Sequence, residues 1–159
     1  MKDITIETKV KSFKYSELNE EDRALIDQAK EATKTSYSPY SSFKVGAALR
    51  LNNGVVVTGS NQENAAYPSG TCAERTALFY AGAQYPDQPA ECLAIAAYSN
   101  NKFIDTPIAP CGACRQVMLE TEQRFKQSMR ILLYSDEEVY ELSSASSLLP
   151  IQFGKDILL

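Results

Sequence analysis

Seven consecutive residues, Cys92-Leu93-Ala94-Ile95-Ala96-Ala97-Tyr98, carry no charge and no strongly polar side chain. The run is far short of the roughly 18 apolar residues that would span a membrane. It also lacks the alternation of a strand with one wet face, so it reads as a strand covered on both sides. A sheet built around it must carry helices on both faces. The rest of the chain is punctuated to supply them. Asn19 reads as a helix N-cap, followed by Glu20, Glu21 and Asp22 where the helix dipole favours acids. Leu25, Ile26, Ala29, Ala32 and Thr33 then recur at helical spacing, and Pro39 lies beyond the end. Further helices are predicted from about Cys72 to Ala83 and from Cys111 to about Phe125. Strands at 43–51 and 55–60 flank Asn52-Asn53-Gly54, a strong hairpin signal. Two last strands are predicted at 130–135 and 138–142, with a short Ser-rich helix leading to Leu148-Leu149-Pro150. Residues 3–13 alternate, with Ile4, Ile6, Thr8 and Val10 on one side, and read as an edge strand. The strand–helix–strand passages across 92–134 argue for parallel pairing with right-handed crossovers. The expected class is therefore α/β, with a mixed sheet, and the 159 residues fit one domain over 1–159.

Charge and composition exclude several kinds of function. The formal net charge is −4, and no Lys/Arg run forms a basic patch, so a nucleic-acid partner is not expected. No segment predicts a membrane span. The opening residues, Met1-Lys2-Asp3-Ile4-Thr5-Ile6-Glu7, are charged and alternating, unlike a signal peptide, and the expected compartment is the cytoplasm. Histidine is absent. That removes Ser-His-Asp and Cys-His catalysis and any histidine metal ligand. A proton shuttle near neutral pH must then be a perturbed carboxylate, cysteine or lysine.

The four cysteines are Cys72, Cys92, Cys111 and Cys114. Pro110-Cys111-Gly112-Ala113-Cys114 sets two thiols three residues apart, hence on one side of a helix start. There the helix dipole and unpaired N–H groups favour thiolates, which suits either a metal or a redox pair. Thr71-Cys72-Ala73-Glu74-Arg75 stands at a second predicted helix start and offers a third thiolate. Three protein ligands would leave a tetrahedral metal one open position, the mark of a catalytic zinc. Cys92 lies within the apolar run and reads as core. Glu74, two residues from a ligand candidate, could carry protons between a metal-activated water and a leaving amine; as a bare sequence feature it is equally an acid in a helix first turn. Arg75 could donate to a cysteine sulfur and offset the excess negative charge of three thiolates, or could simply be solvated.

Taken together, Cys72-Ala73-Glu74-Arg75-Thr76-Ala77 and Pro110-Cys111-Gly112-Ala113-Cys114-Arg115-Gln116 resemble the zinc-dependent cytidine deaminase family, in its short-chain, three-cysteine, homotetrameric branch. The resemblance covers roughly residues 20–153. It implies a three-layer α/β/α sandwich with a mixed, largely parallel five-stranded sheet. It implies one Zn²⁺ per chain on Cys72, Cys111 and Cys114, with Glu74 catalytic and Arg75 supporting the thiolates. Phe43, at the start of Phe43-Lys44-Val45-Gly46-Ala47-Ala48, would pack on the pyrimidine, and Ala73 would also touch the substrate. Asn61 and Glu63, in Asn61-Gln62-Glu63-Asn64-Ala65-Ala66-Tyr67, would bind the sugar. Phe153, in Leu148-Leu149-Pro150-Ile151-Gln152-Phe153, would reach the pocket of a neighbouring chain in a homotetramer with shared active sites. The implied reaction is hydrolytic deamination of cytidine and deoxycytidine to uridine and deoxyuridine, in pyrimidine salvage.

Other readings compete. A deaminase of a nucleoside antibiotic would share the chemistry, although the Phe43 and Asn61-x-Glu63 matches favour a plain nucleoside. A structural zinc module needs a fourth protein ligand, and Cys92 is the only cysteine left. A thiol–disulfide enzyme explains Cys111 and Cys114 but neither Cys72 nor Glu74. Residues 1–18 extend beyond the usual family core and carry no assigned role, and 84–91 and 99–109 read as loop variations.

Overall fold

The computed structural model describes residues 1–158; residue 159, the last of the expected domain, lies outside the described residues. The elements in chain order are β1 (Lys11–Phe13), α1 (Glu20–Ala32), β2 (Lys44–Leu51), β3 (Val56–Ser60), α2 (Ala73–Gln84), β4 (Ala90–Ser99), β5 (Lys102–Phe103), α3 (Gly112–Phe125), β6 (Arg130–Tyr134) and β7 (Val139–Leu142). The sheet runs β1-β7-β6-β4-β2-β3, with β5 paired to β4. The apolar run falls within β4, at the centre, and its alternate residues face two separate cores. Leu93 and Ile95 pack with Ala73, Ala77, Cys114 and Met118 of α2 and α3. Cys92, Ala94 and Ala96 pack with Leu25, Ile26 and Ala29 of α1. Burial on both faces is why the run shows no period of two.

The layers are those expected, but the sheet is not largely parallel and has seven strands, not five. Among the described strands only β4 and β6 pair in parallel, joined across α3. The crossover through α2 skips a strand. It brings β4 down on the far side of β2, and each of β3 and β4 pairs antiparallel to β2. Both crossovers return the chain in the same direction, yet only one makes a parallel neighbour. The two extra strands are short. β5 closes a hairpin on β4 through Asn100 and Asn101, both at positive φ (52° and 63°), as a two-residue turn between twisted strands requires. β1 pairs with β7 over only three residues, so the edge strand expected over 3–13 is confined to its end, and residues 1–10 form no strand.

The side chain of Asn19 caps α1 by accepting from the Asp22 amide at 2.8 Å. Asp22 is itself buried, because Arg130 and Arg50 reach it at 2.7 and 3.3 Å. Burial opposes its charge, but the two guanidiniums prevail and hold its carboxyl below the usual range. Two glycines let helices sit close on the sheet. A Cβ on Gly46 would lie 2.1 Å from the Ala29 carbonyl oxygen of α1, and one on Gly59 would lie 2.5 Å from that of Ala73 in α2. No helix among the described residues is long and apolar enough to cross a membrane.

Candidate metal centre and active site

α2 and α3 lie on the same face of the sheet and begin side by side. Cys72 is the N-cap of α2 and Cys111 the N-cap of α3; neither uses its side chain to cap its helix. Cys114 follows in the first turn of α3, fully buried. The three Sγ atoms all lie within 4.8 Å of one another. Cys72 to Cys111 is 3.8 Å, and Cys111 to Cys114 is 3.5 Å. A tetrahedral zinc with bonds of about 2.3 Å sets its sulfurs about 3.8 Å apart, so the donor set fits this ion. The spacing is far too long for a disulfide, whose sulfurs are about 2.05 Å apart. Two helix N-termini face the cluster and favour its negative charge.

Arg75 Nη2 donates to Cys72 Sγ at 3.8 Å. Hydrogen bonds from the Cys114 thiol first, then from Arg75 and Cys111, lower the Cys72 thiol to about 5. The partnership with Cys72 and burial push Cys114 upward. A thiolate on Cys72 is thus ready-made, and a metal ion displaces the remaining thiol protons. Cys92 is on the opposite face of the sheet, and burial raises it to about 12, as befits a core thiol. Among the described residues the cluster contains no fourth Cys, Asp or Glu, which disfavours a closed structural site.

Beside the thiols opens a cavity of about 540 Å³, within the size range of small-molecule sites. Its lining includes Cys72, Cys111, Ala73, Glu74, Arg75, Asn61 and Glu63, so seven of the expected site residues come together. Glu74 is only 5% exposed; burial first, then the negative charge of Cys72, raises its carboxyl above the ordinary range. Such a carboxyl holds a proton more readily than an exposed one, as a group that both takes and gives protons must.

Asn61 does two things. Its Oδ1 accepts from the Val45 amide at 2.8 Å and from the Ser36 hydroxyl, and its Nδ2 donates to the Phe43 carbonyl at 2.8 Å. An amide has two N–H donors, so one is left for a ligand. Glu63 accepts from the Tyr40 amide at 2.9 Å, from the Ser41 amide, and from the Ser41 hydroxyl. The Ser41 hydroxyl, with those amides, holds the Glu63 carboxyl below its usual range. Asn61 and Glu63 therefore shape the 40–45 segment as well as the cavity.

Phe43 is half-buried in that segment but is not among the residues lining the cavity, although Ser41 and Val45 on either side are. Phe153 is 58% exposed and lies outside its own chain's cavity; its carbonyl accepts from Gln116 Nε2 at 2.8 Å. Two groups of lining residues escape a reading of the sequence. Tyr40 and Tyr67 meet edge to face at 6.4 Å along the cavity, from segments 27 positions apart. Ile108 and Ala109 form part of its wall, within a stretch that reads only as a loop. The prolines on either side of them, Pro107 and Pro110, were the available signal of a fixed backbone.

Residues 19–128 match the family model described as the cytidine and deoxycytidylate deaminase zinc-binding region. A cytidine deaminase of Halalkalibacterium halodurans is 49% identical over 96 residues, covering 60% of this chain and 68% of the relative. One from Sporosarcina psychrophila is 39% identical over 134 residues, covering 84% and 92%. The crystal structure of a cytidine deaminase from Burkholderia pseudomallei superposes with a TM-score of 0.70 at 43% identity, covering 86% of this chain and all of that one.

Proposed function

The chain belongs to the zinc-dependent cytidine deaminase family, and from that premise we propose how its residues carry out the hydrolytic deamination of cytidine and deoxycytidine in pyrimidine salvage. The observation that carries the reading is three converging thiols with a buried carboxyl beside them, where Cys72, Cys111 and Glu74 line one nucleoside-sized cavity. Cys72, Cys111 and Cys114 hold one Zn²⁺ per chain. When bound, the ion supplies a water acidified toward neutrality. Glu74 takes one proton from water and passes it to the pyrimidine ring nitrogen, then takes the second from the hydroxyl that has added at C4 and passes it to the departing amine. An oxygen adds at C4, the C4–N bond breaks, and ammonia leaves. Arg75 steadies the Cys72 thiolate.

The remaining lining residues bind and orient. The unspent N–H of Asn61 donates to a sugar hydroxyl, and the ionised Glu63 accepts from one. Ala73 packs against the base. Phe43 is outside this lining but next to it, held through its carbonyl by Asn61, and its proposed role is to pack on the pyrimidine once the nucleoside is bound. Phe153 serves a neighbouring chain in a homotetramer with shared active sites, in keeping with its exposure and its distance from its own cavity. A site of three thiolates suits a reducing compartment such as the cytoplasm. The whole of 1–159 works as one domain.

A pocket that holds the sugar at both Asn61 and Glu63 has little room for a continuing backbone. Ammonia release from cytidine and deoxycytidine should therefore far exceed release from adenosine or from cytosine in a single-stranded oligonucleotide, all at equal concentration. Efficient release from the oligonucleotide would overturn the pocket as assigned.

A further inference from the structure

α3 carries two of the three thiols at its start, and its side chains also hold the C-terminal segment. Glu122, buried, accepts from the amides of Met129, Ala145 and Ser146 at 2.7, 2.9 and 3.0 Å, and from the Ser144 hydroxyl. Gln116 donates to the Phe153 carbonyl at 2.8 Å, and Gln123 accepts from the Lys155 amide at 3.0 Å. These bonds fix residues 144–155 to the helix without touching the metal loop. Arg115 touches both. Its Nε donates to the carbonyl of Pro110, the residue before Cys111, at 2.8 Å, and its Nη1 donates to the carbonyl of Leu148 at 3.0 Å.

We propose that Arg115 is a positioning residue that fixes the Cys111 thiolate through the Pro110 carbonyl and couples metal occupancy to the placement of the C-terminal segment. The inference rests on the zinc reading above and adds to it. Cys111 is the most exposed of the three thiols, and its backbone precedes the first turn of α3. A rigid fork that grips the preceding carbonyl removes the freedom such a cap would otherwise have. Lysine cannot reproduce the grip, because an ammonium is a point donor rather than a planar pair of donors. Since the same guanidinium holds Leu148, a metal loop that slackens also loosens one of the bonds that hold 144–155.

The test uses the zinc-loaded full chain and two readings besides activity. One is the rate at which zinc passes to a chromogenic chelator. The other is amide hydrogen exchange, followed peptide by peptide. Arg115→Ala should release zinc roughly 10-fold faster or more, the size of effect typical of groups that support metal ligands. Arg115→Lys should fall between it and the wild type. Exchange should rise in 107–111 and 144–155 and stay unchanged in the β2–β3 hairpin, which general destabilisation would not spare. Wild-type protein stripped of zinc should show the same rise in 144–155. Gln116→Ala should loosen only residues near 153 and leave zinc release alone. Zinc release within two-fold of wild type in Arg115→Ala, or unchanged exchange in 144–155 on zinc removal, overturns the inference while leaving the zinc reading intact. If Arg115→Ala does not fold, Arg115→Lys and the stripped wild type decide the matter. A wild-type chain that holds no zinc overturns both readings.

Discussion

A carboxyl held out of water keeps its proton to higher pH, and Glu74 is held in that way beside the one thiol most ready to ionise. With no histidine in the chain, this is the group we propose as the proton carrier. Glu74→Gln keeps the shape and the hydrogen bonding but cannot exchange a proton. It should retain zinc and nucleoside binding and lose turnover by about 10²–10⁴-fold. Single-turnover rates alongside equilibrium binding of cytidine check this, and a variant that turns over near the wild-type rate would show that another group moves the proton. The residues at this centre were legible because their chemistry is local: two cysteines before helix starts, and an acid one step into a helix. Taken alone, Asn61 reads as a polar residue in a loop, and only the family resemblance marks it as a sugar contact. That its amide also clamps β2 depends on Phe43 and Val45, which only folding brings within reach. Asp22 reads as a first-turn acid, whereas its partners Arg50 and Arg130 lie 28 and 108 positions away.

The elements place these residues through a few close approaches. α2 sits on β3 where Gly59 offers no side chain. A Cβ there would lie 2.5 Å from the Ala73 carbonyl oxygen and 2.7 Å from the Ala77 amide nitrogen, backbone atoms of the helix's first turn. The helix start would have to lift, and Cys72 and Glu74 with it. Gly59→Ala should cost about 1–3 kcal/mol by overpacking, lower Tm by several degrees, and reduce kcat through the displaced carboxyl. Thermal unfolding of the zinc-loaded protein and steady-state kinetics measure both. Unchanged values of both would show that α2 has slack at this contact. Element types were legible from caps, periodicity and turns. Pairing was less so, because a crossover looks the same in sequence whether it lands beside its strand or skips one. The β4–β5 hairpin was missed because its turn is Asn100-Asn101 without a glycine, and its second strand has only two residues.

Across the whole molecule, one face of the sheet is covered by α1 and the other by two helices whose N-termini converge on the thiols. The cavity opens at that convergence, between the start of α2, the loop before α3 and the segment after β3. The exposed surface is the least legible, since Phe79 and Tyr80 read as ordinary aromatics until the fold leaves them uncovered, and Phe153 is marked only by the family resemblance. That Cys72, Cys111 and Cys114 hold a zinc ion on which cytidine deamination depends is the proposal on which every other role at the site rests. It is tested most directly by following the ultraviolet change of cytidine with purified protein as zinc is removed by a chelator and then returned, with bound zinc measured at each step. The expected result is about one zinc per chain, activity that falls in proportion to the zinc removed, and recovery on adding zinc but not magnesium. Full activity in protein stripped of zinc, or tightly held zinc with no change in cytidine, would contradict it.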